Sequence, residues 1–344
     1  MKKETKVGIV GLGTYLPEKI ITAKEMSAAT KGVWSEEAFV KKLGIVEKRL
    51  AGPDACDGTQ EMGALAALDC LKNTGTDPRD IDAIVCFGEE WKEYPLTTSA
   101  CYIQDRIGAV NAWGIDVQNR CCTTVSAMKI AKDILLSDDE CKQIMVCGGY
   151  RNSDLVDFTD NDMSMMYNLS TGGGAILLQK GYNKNVLLGT HIMSDGSIAR
   201  TAGVEIGGTA KPITAENLDK ANMLRLMDAK KMKDRLNLVS MDNWMHCIDE
   251  AFRKSGVDKS DLGYLAVLHM KRSGHEDMLH RLNLTPEQSI YLEKYGHVGQ
   301  VDQILSLKLA LDAGKVKDGT IIAMIAAGIG YVWAANVIRW GENE

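Results

Sequence analysis

Two stretches far apart in this 344-residue chain run through the same order of local signals. AMKIAKDILLSDDECKQIMVCGG, followed by GGGAILL, reads as helix, acidic turn, strand, glycines and strand, and ILSLKLALDAGKVKDGTIIAMIAAGIGYVWAANVI reads the same way. A chain of this length is expected to hold two core-forming units. The repeat makes those units duplicated halves, 1–184 and 185–344, rather than two unrelated domains. A polar, helix-rich stretch near 211–238 reads as an insertion or lid in the second half.

The rest of the chain keeps an α/β rhythm. KVGIV (6–10) is a short β-branched run that Gly11 and Gly13 close as a tight loop. A dinucleotide-binding reading of GIVGLG fails, because Pro17 stands where the phosphate-binding helix would begin. Helical spacing over 60–72, 98–107, 121–136 and 302–313 alternates with strand-like runs over 81–87, 113–117, 143–148, 175–180, 320–325 and 331–339. The glycines from Thr171 to Gly174 read as a turn before the strand at 175.

Charge narrows the partners. Forty Lys and Arg stand against 46 Asp and Glu, a formal charge of −6 with no basic block, which argues against nucleic acid or an anionic membrane surface and for small molecules or proteins. Nine cysteines are scattered without CxxC pairs, so they form neither a disulfide framework nor a zinc site. No apolar run reaches the length of a membrane span or resembles a signal-peptide core. A reducing cytoplasm fits these features.

The strongest local motif is DVQNRCCTTVSAMKIA, beginning at Asp116. A strand stops, a polar turn follows, and Cys121 stands at the mouth of a long helix, where the dipole favours thiolate. Ordinary packing competes with that reading, since cysteine is among the most buried residues. Of six histidines, His269 follows the apolar run YLAVL, and His297 lies in the Gly-flanked loop KYGHVG. Both occupy strand ends or loop tips, where a scaffold can present chemistry. Spacing alone does not separate them from ordinary histidines.

Taken together, these pieces resemble a thiolase-superfamily condensing enzyme of the β-ketoacyl-acyl-carrier-protein synthase III group. The resemblance runs from Val7 to Trp340 through GIVGLGTYLPEKIIT, KKLGIVEKR, the DxxxxC run ending at Cys121, GGGAILL, the strand ending at His269, KYGH and AAGIGYVWAANVIRW. It implies duplicated βαβαβαββ halves in a five-layer α/β/α/β/α sandwich, a homodimer, and acyl-CoA or acyl-carrier-protein thioesters as substrates without a permanently bound cofactor. It also implies that Cys121 accepts the acyl group, with Cys122 as a neighbour only. Backbone N–H groups of Cys121 and of the Gly328–Gly330 turn would hold the oxyanion, and His269 and His297 would steady the enolate oxygen of a second thioester or shuttle its proton.

Several positions depart from the group. His269 is followed by Met-Lys-Arg instead of Gln-Ala-Asn, and His297 replaces an Asn. Glu89 and Glu90 stand where the group has Thr, which leaves open a hydroxymethylglutaryl-CoA synthase-like aldol condensation with a Glu base. The residues that clamp the CoA adenine are matched by Ala38 and Met163, with Trp34 as a nearby substitute. A Cys-dependent thioesterase and a non-catalytic, acyl-thioester-binding scaffold subunit remain as further readings.

Overall fold

The computed structural model describes residues 5–53, 57–88 and 91–342. In chain order its strands and helices are β1 (Val7–Tyr15), β2 (Ile20–Thr22), α1 (Ala23–Ala29), α2 (Glu36–Ala38), β3 (Glu47–Arg49), α3 (Thr59–Thr74), β4 (Ala83–Cys86), α4 (Ser99–Ile107), β5 (Trp113–Asp116), α5 (Thr123–Ser137) and β6 (Gln143–Tyr150). The chain continues with β7 (Gly172–Lys180), β8 (Lys184–Ser194), β9 (Ala202–Val204), β10 (Leu224–Leu226), α6 (Ala229–Ser255), β11 (Leu262–Val267), α7 (Arg272–Arg281), α8 (Asp302–Asp312), β12 (Ile321–Gly328) and β13 (Val332–Glu342).

Among the described residues, nine strands hydrogen-bond in the order β11-β12-β13-β8-β1-β7-β6-β4-β5. Outward from the middle, β1-β7-β6-β4 and β8-β13-β12-β11 repeat one pattern of two antiparallel contacts and then a parallel one. The two sets join through a single described pair, Gly8 with Val186. This is the duplication that the sequence repeat announced. Helices α5 and α8 touch strands of both sets, while α3 covers the outer face of the first and α6 that of the second. The result is the expected five-layer α/β/α/β/α sandwich, with two sheet faces buried on both sides. Runs such as IIAMIAAG in β12 are accordingly almost continuously apolar.

Two glycine clusters differ from expectation. Gly11 and Gly13 lie inside β1, and Gly172 to Gly174 open β7, so neither cluster makes a turn. A Cβ at Gly13 would lie 2.1 Å from the Ala66 carbonyl oxygen, and one at Gly173 would lie 2.2 Å from that of Met62. Helix α3 therefore rests backbone on backbone against the sheet, and the glycines permit that approach.

The stretch near 211–238 also divides. Its first part is loop with the short strand β10, which pairs with β9, and only from Ala229 does it become α6. That helix packs on β8 and β13 as an outer layer.

Candidate active site

Cys121 is delivered by a tight turn between β5 and α5. The turn starts with Arg120 in the left-handed region, at φ 51°, an uncommon conformation for a side-chain-bearing residue. Residues Arg120–Cys122 form one 3-10 turn, so Cys121 precedes α5 and does not belong to its first turn. Side chains from α5 fasten it: the Asn119 N–H donates to Thr123 Oγ1 at 2.8 Å, and Asn119 Nδ2 donates to Ser126 Oγ at 2.8 Å. Gly328 lies against the same turn, and a Cβ there would approach Asn119 O to 2.6 Å and Cys121 N to 3.3 Å. Asp116, the first residue of the motif, caps α4 by accepting from the Ser99 and Ala100 N–H groups at 2.9 and 2.8 Å.

His297 comes from the second half and is held as part of a strand. Its N–H donates to Asn168 O at 2.8 Å, and its carbonyl accepts from Ser170 N at 2.8 Å. The ring then bridges two groups, with Nε2 3.1 Å from Cys121 Sγ and Nδ1 2.6 Å from Asp302 Oδ2. Asp302, the first residue of α8, is 0% exposed. It also accepts from Val298 N through Oδ1 and from His269 N through Oδ2, both at 2.7 Å. Burial works against a charge on His297, but the Cys121 sulfur and the Asp302 carboxylate outweigh it and hold the imidazole well above its ordinary pKa. Cys121, His297 and Asp302 thus stand in one hydrogen-bonded line of thiol, imidazole and buried carboxylate, an arrangement that can activate a nucleophile.

His269 is placed at the end of β11 as expected, but its ring serves other partners. Its Nε2 lies 3.2 Å from Gly44 O, and its Nδ1 lies 3.2 Å from Asn168 Nδ2. Burial pushes its pKa down to about 4, so near neutral pH the ring is uncharged, donating to Gly44 and accepting from Asn168. His269 reaches the Cys121–His297 pair through Asp302, which accepts its backbone N–H. Both Asp302 and Asn168 escaped the sequence reading. The available signal for Asp302 was its position five residues after His297, at a helix start.

Cys121, His269 and His297 all line a cavity of about 990 Å³. Its walls are largely apolar, with Leu155 and Met166 from the first half and Leu224, Met241, Trp244 and Ile329 from the second. The β9–β10 segment and the middle of α6 contribute to one side. Trp91 and Pro95 also line it, while Glu89 and Glu90 lie outside the described residues.

Trp34 and Met163 are not among the lining residues. Trp34 donates to Asn161 Oδ1 at 2.9 Å and packs against Phe39 and Tyr167, and Met163 is buried in the core. Gly330 is in the left-handed half of backbone space, φ 135°, between the lining residues Ile329 and Tyr331. Cys122 faces away and donates to Val332 O at 3.4 Å, and burial raises its thiol pKa well above normal. Among the described residues, no group of three or more His, Cys, Asp or Glu side chains could hold a metal ion.

Comparison with known proteins gives one consistent family. Residues 115–196 match the 3-oxoacyl-[acyl-carrier-protein (ACP)] synthase III family model, and residues 252–340 match the model of its C-terminal part. β-Ketoacyl-[acyl-carrier-protein] synthase III of Syntrophomonas wolfei is 26% identical over 340 residues, covering 98% of this chain and 99% of the relative. The enzyme of the same name from Xanthomonas euvesicatoria is 27% identical over 341 residues, covering 99% and 100%. In fold, the chain is similar to the crystal structure of 3-oxoacyl-[acyl-carrier-protein] synthase III from Aquifex aeolicus, with TM-score 0.82, 23% identity and coverage of 98% and 100%. The Pseudomonas aeruginosa structure of the same name gives TM-score 0.83 at 19% identity, covering 98% and 99%. With the duplicated sandwich and a cysteine at its seam, these matches mean that the chain belongs to the thiolase superfamily and closely resembles its β-ketoacyl-acyl-carrier-protein synthase III condensing enzymes.

Proposed function

We propose that the protein is an acyltransferase that loads an acyl group from a thioester onto Cys121 and joins it to the α-carbon of a second thioester by Claisen condensation. The carriers in this reading are acyl carrier protein, which the relatives' names mention, or coenzyme A. The observation that carries it is the line Cys121–His297–Asp302, of which Cys121 and His297 line a largely apolar cavity. Attack by Cys121 sulfur breaks the thioester C–S bond, and the thiol proton passes through His297 to the departing thiolate. Backbone N–H groups of Cys121 and of the turn at Gly328–Gly330 are assigned to the oxyanion. In the second half-reaction the second thioester loses CO2, if it is a malonyl thioester, or else an α-proton; the resulting carbanion attacks the acyl carbon, the C–S bond to Cys121 breaks, and the sulfur leaves as thiolate. His297 steadies the enolate oxygen through Nε2–H only in its protonated form, which the Asp302 carboxylate favours. His269 would join it only by giving up its bond to Gly44.

Incubation with short- and long-chain acyl-CoAs, followed by peptide mass spectrometry, is expected to place one acyl group on Cys121 and none on a Cys121→Ala variant. Equal labelling of the variant would remove this assignment. Wild-type enzyme given a malonyl thioester after loading is expected to yield a 3-oxoacyl thioester.

A second reading is favoured by the same triad together with the occupied ring nitrogens of His269. A base backed by a buried carboxylate suits removal of a proton from water or another hydroxyl, which would release the acyl group by hydrolysis or ester formation. The products separate the two readings.

In either case we infer a homodimer. Strand β5 ends the sheet with its outer edge unpaired among the described residues, and it presents Trp113 and Ile115, which are 47% and 41% exposed. Pairing of two β5 edges about a two-fold axis would cover them. The double substitution Trp113→Glu, Ile115→Lys is expected to halve the mass measured by light scattering; an unchanged mass would place the interface elsewhere. A reducing cytoplasm remains the setting of this reading, since Cys121 must be a free thiol. No described helix is long and apolar enough to cross a membrane.

A further inference from the structure

Strand β3 carries a residue that alternation alone does not explain. Between the half-buried Glu47 and Arg49, Lys48 points inward and is 0% exposed. A buried lysine ordinarily sits beside a carboxylate. The hydrogen bonds of Lys48 go instead to two backbone carbonyls, with Nζ donating to Tyr167 O at 2.8 Å and to Leu169 O at 2.5 Å. The amine also lies 5.0 Å from the centre of the Phe158 ring.

Those carbonyls belong to the segment that holds the candidate base. On one edge, residues 168 and 170 pair with the backbone of His297 as a strand would. On the other edge, the alternate carbonyls of 167 and 169 end on Lys48. The side chain of Asn168, between them, donates to the ring of His269. The stem of Lys48 touches the same structure from another direction. A Cβ built at Gly296, the residue before His297, would lie 2.9 Å from Lys48 Cβ and 2.7 Å from Asn168 O, and Gly296 takes φ 68°. Lys48 therefore contacts both the strand that grips His297 and the chain that leads into it. An apolar residue of the same length would fill the space but leave two buried carbonyls without these donors, which is costly away from water.

We propose that Lys48 is a positioning residue that acts through the 167–170 segment to hold His297 within hydrogen-bond reach of Cys121. The idea rests on the proposed Cys121–His297 pair but not on which acyl group or acceptor the enzyme uses. Displacement of a base by about 1 Å can cost on the order of 100-fold in rate.

The test is the pH dependence of Cys121 alkylation by iodoacetamide, followed on the Cys121 peptide by mass spectrometry in the full-length protein. This readout senses the His297 contact and needs no acyl substrate. Lys48→Met is expected to slow alkylation near pH 7 by roughly 10- to 100-fold and to change the shape of its pH profile, while Lys48→Arg, which can still donate to both carbonyls, recovers most of the rate. A merely structural lysine would lower the melting temperature and leave the profile alone. Lys48→Met with the wild-type profile overturns the proposal, whatever its stability. Should that variant not fold, Lys48→Gln is read in its place by the same criterion. Loss of the profile without any thioester acylation of wild-type Cys121 would support the positioning role while removing the acyltransferase reading, so the two failures are separable.

Discussion

Replacing Asp302 with Asn is expected to leave a folded protein in which acyl loading of Cys121 is slowed by about 10³- to 10⁴-fold, the scale of the matching change in serine-protease triads. The geometry explains why so small a change acts so strongly. Asp302 accepts three N–H groups, with His297 Nδ1 and His269 N on one oxygen and Val298 N on the other. An Asn has a single acceptor oxygen. If that oxygen faces the two histidines, the amide NH₂ meets the Val298 N–H; if it turns the other way, the NH₂ meets His297 and His269. Either arrangement sets donor against donor in a fully buried site, where an unsatisfied group costs about 1–3 kcal/mol. Relief comes most readily by turning over the His297 tautomer, which puts a proton on Nε2 where Cys121 must deliver its own. The variant also loses the negative charge that helps keep His297 protonated after the thiol proton arrives. Single-turnover acylation measured by mass spectrometry reads the effect directly, and circular dichroism checks the fold. A variant within about tenfold of wild type would mean that His297 needs no orienting carboxylate, and the triad would reduce to a Cys–His pair. Asp302→Ala is expected to be slower still and less stable by about 3–5 kcal/mol, because it leaves a buried imidazolium without its partner.

The sequence made this triad only partly legible, and the reason lies in how its members are held. Cys121 stood out as a candidate because its turn and helix are contiguous in the chain, and His297 because a loop flanked by Gly296 and Gly299 marks a presented residue. Asp302 was hidden because an acidic residue in the first turn of a helix is also the ordinary way to complement the helix dipole. Nothing local distinguishes an Asp that faces solvent there from one that faces a histidine. The position of His269 was readable from the end of an apolar strand, but its ring direction was not. That direction depends on Gly44 and Asn168, respectively 225 and 101 residues away in the chain. Lys48 illustrates the opposite case. It lay inside the quoted stretch KKLGIVEKR, yet its inward turn becomes visible only when the carbonyls of 167 and 169 are found to lack a neighbouring strand.

The glycine clusters were recognised in the sequence but given the wrong cause. The runs GLG in β1 and GGG in β7 read locally as turns because Gly commonly supplies positive φ. Both are extended strand, and what they supply is the absence of a side chain beneath α3. Gly173→Ala is therefore expected to destabilise the protein by roughly 3 kcal/mol and to lower its melting temperature by roughly 4 °C. The new methyl would stand 2.2 Å from the Met62 carbonyl oxygen and 2.7 Å from its carbon. Both are helix backbone atoms, so no flexible side-chain end can move aside, and α3 must lift from the sheet. Lifting it would also disturb Gly149, the cross-strand partner of Gly173, where a Cβ would lie 2.2 Å from Thr59 O. Gly196→Ala supplies the control. It has no neighbouring atom within 4 Å and no positive φ, and it is expected to stay within about 0.5 kcal/mol of wild type. Thermal unfolding followed by circular dichroism compares the two, and equal melting temperatures would show that α3 stands further from β7 than this packing requires. The effect should also reach the site. Two residues before Gly172, Ser170 donates its N–H to His297, so strain at the start of β7 is transmitted to the base. Acyl loading of Cys121 in Gly173→Ala is accordingly expected to fall at temperatures where the protein is still folded, whereas Gly196→Ala should load at the wild-type rate.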